Sequence, residues 1–210
     1  MPDFVVIVSQ GRSGSTLLLR MLNAVPGVRI SGENERALDH LREFIRCYEI
    51  ATTRHDTEFY RLAWRLPCPL DVIRQKTASF VFDLYNPDGT ATLVGFKEIR
   101  YGCFGSYADM CGEIGFIRQL IPASKIILNT RRTDDAIKSS WWTENPDQSR
   151  RILDRSRSHF ERYHFENPGH TFLMPYEDIH RGSNRLAAMF DFLGLDLTPA
   201  AEIELDKKLR

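Results

Sequence analysis

No apolar run in this 210-residue chain approaches the roughly 18–20 residues that cross a bilayer, so a membrane-spanning role is not expected. The N-terminal apolar run, Phe4–Val8, is too short for a secretory leader, and Asp3 stands where a basic region belongs. Excess charge of either sign is missing too. The 28 Lys and Arg balance 28 Asp and Glu, so no global field draws in nucleic acid and any anion site must be local. The four cysteines, Cys47, Cys68, Cys103 and Cys111, show no C-x-x-C spacing. The six histidines are scattered, and His159 and His164 are five apart and so not on one helical face. No metal site is expected from these residues, and free thiols suit a reducing, cytoplasmic setting. Internal repeats, low-complexity tracts and linker-like stretches are absent. What remains is an ordinary globular composition, 42% hydrophobic and 27% charged. The length fits a single domain over residues 1–210, either a soluble protein or one module of a larger one.

Against this background the stretch from Phe4 to Thr16, Phe-Val-Val-Ile-Val-Ser-Gln-Gly-Arg-Ser-Gly-Ser-Thr, stands out. A fully apolar run ends in a loop of glycines, small hydroxyls and one arginine, and Thr16–Asn23 then reads as a helix. A strand, a glycine loop and a helix N-terminus together cradle an anion, because backbone N–H groups and the positive end of the helix dipole face it.

Five apolar runs read as strands: 4–9, 27–31, 92–97, 125–130 and 171–174. Helical patterns separate most of them, which predicts an α/β fold with three layers, a parallel central sheet flanked by helices. One helix is expected over 34–50 on the spacing of Leu38, Leu41, Ile45 and Tyr48, and another over 56–66. A third begins after Pro69, with Ile73, Phe80, Val81 and Leu84 on its apolar side. Asn86-Pro-Asp-Gly89 is a turn. Tyr101–Tyr107 reads as an exposed loop after the third strand, either bordering a ligand or serving as a surface connection.

Laid on residues 9–16, the Walker pattern G-x-x-x-x-G-K-[ST] loses its first glycine to Ser9 and its lysine to Ser15, while Gly14 and Thr16 survive. No apolar strand ends in Asp to hold Mg²⁺. The run Lys125–Thr130 is followed instead by Arg131 and Arg132, which suits an anion bound without a metal.

These motifs resemble those of sulfotransferases that use 3′-phosphoadenylyl sulfate (PAPS). Gly11–Thr16 looks like the family's 5′-phosphosulfate loop, and Lys125–Arg131 followed by Ser139 looks like its 3′-phosphate motif. Tyr176–Ile179 and Phe190–Leu195 are similar to its late helices. The resemblance implies a P-loop NTPase-like sulfotransferase fold, closest to carbohydrate-type members. It also implies transfer of a sulfuryl group to a carbohydrate or small-molecule hydroxyl; that no nucleic-acid or membrane partner is expected follows from the charge balance and the short apolar runs. Arg12, Ser13, Gly14, Ser15 and Thr16 then hold the phosphosulfate, and Arg131 and Ser139, on the helix that follows, hold the 3′-phosphate. Arg132 and Ser140 repeat that spacing one residue later, and a surface ion pair of Arg131 with Asp134 or Asp135 stays open. Thr133 stands where the family often has proline. A small-molecule kinase and a non-catalytic nucleotide-binding protein are the competing readings.

For a base, the segment Gly32–Glu35 opens a helix after the second strand. Glu35 aligns best with the family's glutamate and Glu33 is its rival, although acidic residues suit a helix's first turn in any case. Lys97, with Tyr101 four residues on, looks like the family's Lys-x-x-x-Tyr segment and is placed to stabilise the leaving oxygen, or is a snorkelling strand end. Glu98 is an alternative base or a partner of Arg100. Trp141 and Trp142 are expected in the core, unless one lines the groove. The basic stretch Arg150–Arg162 reads as a solvated helix face. No copy of the family's later basic lid over the nucleotide is expected, since His180–Ser183 comes too early.

Overall fold

The computed structural model describes residues 2–53, 68–101 and 105–207. In chain order the elements are β1 (Asp3–Ser9), α1 (Ser15–Asn23), β2 (Val28–Ser31), α2 (Ala37–Thr53), α3 (Leu70–Tyr85), β3 (Leu93–Glu98), α4 (Tyr107–Leu120), β4 (Lys125–Thr130), α5 (Thr133–Ala136), α6 (Pro146–Glu166), β5 (Thr171–Pro175), α7 (Asn184–Leu193) and α8 (Pro199–Asp206). Short 3₁₀ turns lie at Ser140–Thr143 and Tyr176–Asp178. All strand pairings are parallel, in the order β2-β3-β1-β4-β5.

The central strands are apolar throughout because both faces of the sheet are covered. Phe4, Val6 and Val8 of β1 join a core with Leu38 and Ile45 of α2, Val81 and Phe82 of α3, Met110 and Ile114 of α4, and Phe160 of α6. Val5 and Ile7 face the other way, against Leu18 and Met21 of α1, Leu186 and Phe190 of α7, and Leu205 of α8. Three layers result, with the strand tips left open along one edge. Among the described residues no helix is long and apolar enough to cross a membrane.

The strands fall within a residue of their expected bounds; the helices differ more. The helix expected over 56–66 lies outside the described residues. The helix expected from residue 34 starts at Ala37, because Glu35 and Arg36 hold left-handed backbone with φ of 55° and 62°. On α3 the buried side is Thr77, Val81, Phe82 and Tyr85, while Phe80 and Leu84 are half exposed. Ring packing turns the helix: Phe82 and Tyr85 meet Phe4 edge-on, and Tyr85 stacks on Phe96 at 5.4 Å. Tyr101 is no exposed loop residue either; its ring is buried edge-on against Phe96. By Ser106 the chain already caps α4, through a reciprocal box with Asp109. The basic stretch forms much of α6, where Arg150 pairs with Asp134 and Arg162 with Glu166.

Gly95 sits opposite Val5, and a Cβ there would lie 1.8 Å from the Val5 carbonyl oxygen. Gly95→Ala is expected to cost about 3 kcal/mol or more in urea unfolding, since backbone rather than a side chain must yield. Gly115→Ala, in open space on α4, is expected to stabilise by up to about 1 kcal/mol. Equal midpoints for the two variants would contradict the close β1–β3 approach.

Candidate functional site at the strand tips

The loop after β1 is tied down by buried polar groups. Gln10 donates from Nε2 to the Leu153 carbonyl at 2.7 Å and accepts the Arg131 N–H at 3.1 Å. The Ser13 hydroxyl lies 2.6 Å from both the Gln10 carbonyl and Asn129 Oδ1, and Asn129 donates onward to the Met174 carbonyl. The Trp142 indole donates to the Gly11 carbonyl at 2.9 Å. The buried side chains of Gln10, Ser13, Asn129 and Trp142 thus each donate to a partner, which a buried polar loop needs if it is not to lose desolvation energy. Within the loop Arg12 and Gly14 have φ of 65° and 78°. Gly14 is required there, because a Cβ would come within 2.1 Å of the Tyr176 ring. Gly14 also caps α1 without any side-chain hydrogen bond, so the first amides of the helix meet no capping side chain.

Arg12 and Arg131 open into one cleft of about 260 Å³ at the sheet edge. Gly14, Ser15 and Thr16 form its floor, Arg131 and Tyr176 one wall, and Glu33, Lys97 and Ile99 the other. Arg131 donates from a terminal nitrogen to the Arg12 carbonyl at 3.1 Å and lies 4.5 Å over the Tyr176 ring. Its Nε is buried without a hydrogen-bond partner. Arg12 donates from Nε to Ser139 at 3.0 Å. Ser139 occupies a bend between α5 and the 3₁₀ turn rather than the expected helix. The ion-pair alternative for Arg131 is not found, since Asp134 holds Arg150 and Asp135 holds Lys138. Arg131 lines the cleft, whereas Arg132, Ser139 and Ser140 do not; Ser139 meets it only through Arg12.

On the opposite wall Lys97, only 8% exposed, is the penultimate residue of β3 and meets Glu33 at 2.5 Å. This pair sits in the cleft, whereas Glu35 does not line it; its side chain is 75% exposed and pairs with Arg100 at 2.5 Å. Neither glutamate belongs to a helical first turn, because α2 begins only at Ala37. Glu98 is fully buried. It accepts the N–H groups of Ile99 and Arg100 at 3.0 and 3.1 Å on one oxygen and that of Arg36 at 3.4 Å on the other, so it pairs with the Arg100 backbone and not its guanidinium. Ser13 is likewise turned inward and does not line the cleft: its N–H and hydroxyl both serve the loop's own fold.

Three cations, Arg12, Lys97 and Arg131, thus face one carboxylate, Glu33, above a helix N-terminus. The arrangement can grip two separate anionic groups and can accept a proton beside a buried ammonium. Two lining residues carried little sequence signal. Trp142 is buried as expected, but Trp141 is 44% exposed on the cleft. Tyr176 was legible only as part of a late motif; its place at the tip of β5, next to β4, brings it to the site.

A model described as the sulfotransferase family matches residues 2–199. Among solved structures, the chain is similar to the sulfotransferase domain of the Synechococcus PCC 7002 olefin synthase. Identity is 21% and the TM-score 0.56, over 96% of this chain and 76% of that one. It is also similar to a sulfotransferase from Alicyclobacillus acidocaldarius, at 15% identity and TM-score 0.54, over 99% and 91% of the two chains. These two likenesses establish the fold. No curated protein matches the chain.

Behind the cleft, Glu113 is 5% exposed and meets Arg36 at 2.5 Å. Burial, reinforced by Asp39 and Asp109 and opposed by Arg36 and Arg42, pushes its carboxyl up to about 7 from 4.5. The folded state then holds a proton that the unfolded chain releases. This contribution to stability is full below the unfolded value and fades as pH rises through the folded one. The urea midpoint of the parent should therefore fall relative to that of Glu113→Gln between about pH 5 and pH 8. Parallel midpoint–pH curves for the two proteins would show that Glu113 carries no such linkage.

Proposed function

The chain belongs to the sulfotransferase family, and on that premise we propose that it moves a sulfuryl group from PAPS to a hydroxyl of a carbohydrate or another small acceptor. The observation that carries this reading is the cleft shared by Arg12 and Arg131, in which the Arg131 guanidinium donates to the Arg12 carbonyl. A donor with anionic groups on the 5′ and 3′ positions of one ribose needs two such grips.

In this reading Arg12 and the first amides of α1, from Gly14 to Thr16, hold the 5′-phosphosulfate by charge-assisted hydrogen bonds. Arg131, whose buried Nε lacks a partner, and Ser139 hold the 3′-phosphate. The donor, when bound, supplies the activated sulfuryl group. Glu33 takes the proton from the acceptor hydroxyl as its oxygen forms the bond to sulfur. The bond from sulfur to the phosphate oxygen breaks, and Lys97 stabilises the electron pair left there. Glu33 is preferred to Glu35 because it lines the cleft and touches Lys97. Before substrate arrives the two neutralise each other at 2.5 Å, which lowers the cost of keeping a nearly buried ammonium. The acceptor lies beside Ile99 and Trp141. The cationic tips of β3 and β4 take the part that a metal plays in phosphoryl transfer. Free Cys47, Cys68 and Cys111 accord with a cytoplasmic setting.

Calorimetry should show binding of adenosine 3′,5′-bisphosphate, weakened about 10- to 100-fold by Arg131→Ala. Turnover of PAPS over a hydroxyl library should drop about 100-fold in Lys97→Ala and in Glu33→Gln, with bisphosphate affinity kept within about threefold. Glu35→Ala should retain turnover. Tight binding of ATP–Mg²⁺ alone would make the chain a kinase, and bisphosphate binding without turnover would make it a non-catalytic binder.

A further inference from the structure

Glu35 and Arg36 are consecutive non-glycine residues in left-handed backbone. Such a pair is rare, because Cβ crowds the backbone in that region, and it persists only where the surroundings over-determine it. A turn in need of this geometry alone is met by glycine; an arginine held there despite the crowding points to its side chain.

Through its side chain and backbone together, Arg36 joins three elements. The Arg36 guanidinium reaches Asp39 of α2 at 2.5 Å and Glu113 of α4 at 2.5 Å. Its backbone N–H donates to Glu98 of β3, and its carbonyl accepts the Asp39 N–H at 2.8 Å. Glu98 is itself fixed by the amides of Ile99 and Arg100 and is the strand neighbour of Lys97. Glu33 lies three residues before Arg36 on the same loop. The loop that carries Glu33 and the strand that carries Lys97 are therefore fastened to each other at Arg36 and Glu98, one step behind the pair that faces the cleft.

We propose that Arg36 is a positioning residue for sulfuryl transfer: clamped by Glu98 through its backbone and by Asp39 and Glu113 through its guanidinium, it fixes where Glu33 stands relative to Lys97. Its consequence for turnover rests on the transfer reading above; its consequence for the loop does not. Misplacement by about an ångström at a proton-accepting group is enough to cost one to two powers of ten in rate.

The test uses the full chain and Arg36→Gly, which keeps the backbone freedom and deletes the guanidinium. Its kcat is expected to fall at least about 10-fold while KM for PAPS and the Kd of adenosine 3′,5′-bisphosphate stay within about threefold. Added ethylguanidine should restore part of the lost kcat. Hydrogen exchange at the amides of residues 33–36 should rise about 10-fold, with β1 and β4 unchanged. Unchanged kcat, or a loss that only follows the folded fraction and resists guanidine rescue, overturns the proposal. If the parent turns over no PAPS, the transfer reading fails instead, and exchange still decides: unchanged protection at 33–36 overturns the clamp. Should Arg36→Gly fail to fold, Arg36→Lys, which keeps the charge but loses the planar fork, is read by the same measurements, and parent-like kcat and exchange overturn the proposal.

Discussion

The parallel pairing of β1 with β4 is the constraint on which the site depends. With Ser9 in register beside Asn129, the two strands end side by side and release two cationic loops into the same space. Hydrogen bonds across that seam, from the Arg131 N–H to Gln10 and from the Ser13 hydroxyl to Asn129, then make the loops one unit. The partner pairing, β1 with β3, places Lys97 on the other side of the same loop. Three strand tips thus supply the cations of the cleft. No helix has to reach over the sheet, and none of the cations depends on a long surface loop for its place.

The polar seam is costly to bury and stays favourable because its uncharged side chains are satisfied. An amide or hydroxyl taken from water without a partner loses one to several kcal/mol. Gln10, Ser13 and Asn129 are all below 1% exposed, and each satisfies a backbone group as well as another side chain or a second backbone group. The residues that the sequence offered as donors to a ligand therefore divide. Ser13 is consumed in holding the loop, whereas Gly14, Ser15 and Thr16 line the cleft. The same division separates the acidic residues near β2: Glu98 holds backbone, Glu35 holds Arg100, and Glu33 alone faces the cleft.

The strands were legible because a sheet covered on both faces needs uninterrupted apolar runs, and this chain has five. The loop from Gly11 to Thr16 was legible because left-handed backbone and close approach to Tyr176 leave few residue types possible. Arg131 was legible from its place just after an apolar run. The choice between Glu33 and Glu35 was not. Alternation and helical periodicity both break down where two successive residues turn left-handed, so neither pattern says which side chain turns back toward β3. The rotation of α3 was hidden for a different reason. Phe80, Phe82 and Leu84 are equally apolar in sequence, and only the ring packing against Phe4 and Phe96 selects the buried set. Tyr176 belongs to no periodic pattern, and its role follows from the order of strands, a long-range property.

The balance of charge described at the outset has a kinetic consequence. The cleft carries a surplus of positive charge, yet the molecule as a whole is neutral. In physiological salt, fields fade over about 8 Å, so this surplus is felt only near the mouth of the cleft. An anionic partner meets the protein by unguided diffusion and is captured on arrival. Ionic strength then acts mainly on how long the partner stays and little on how often it comes.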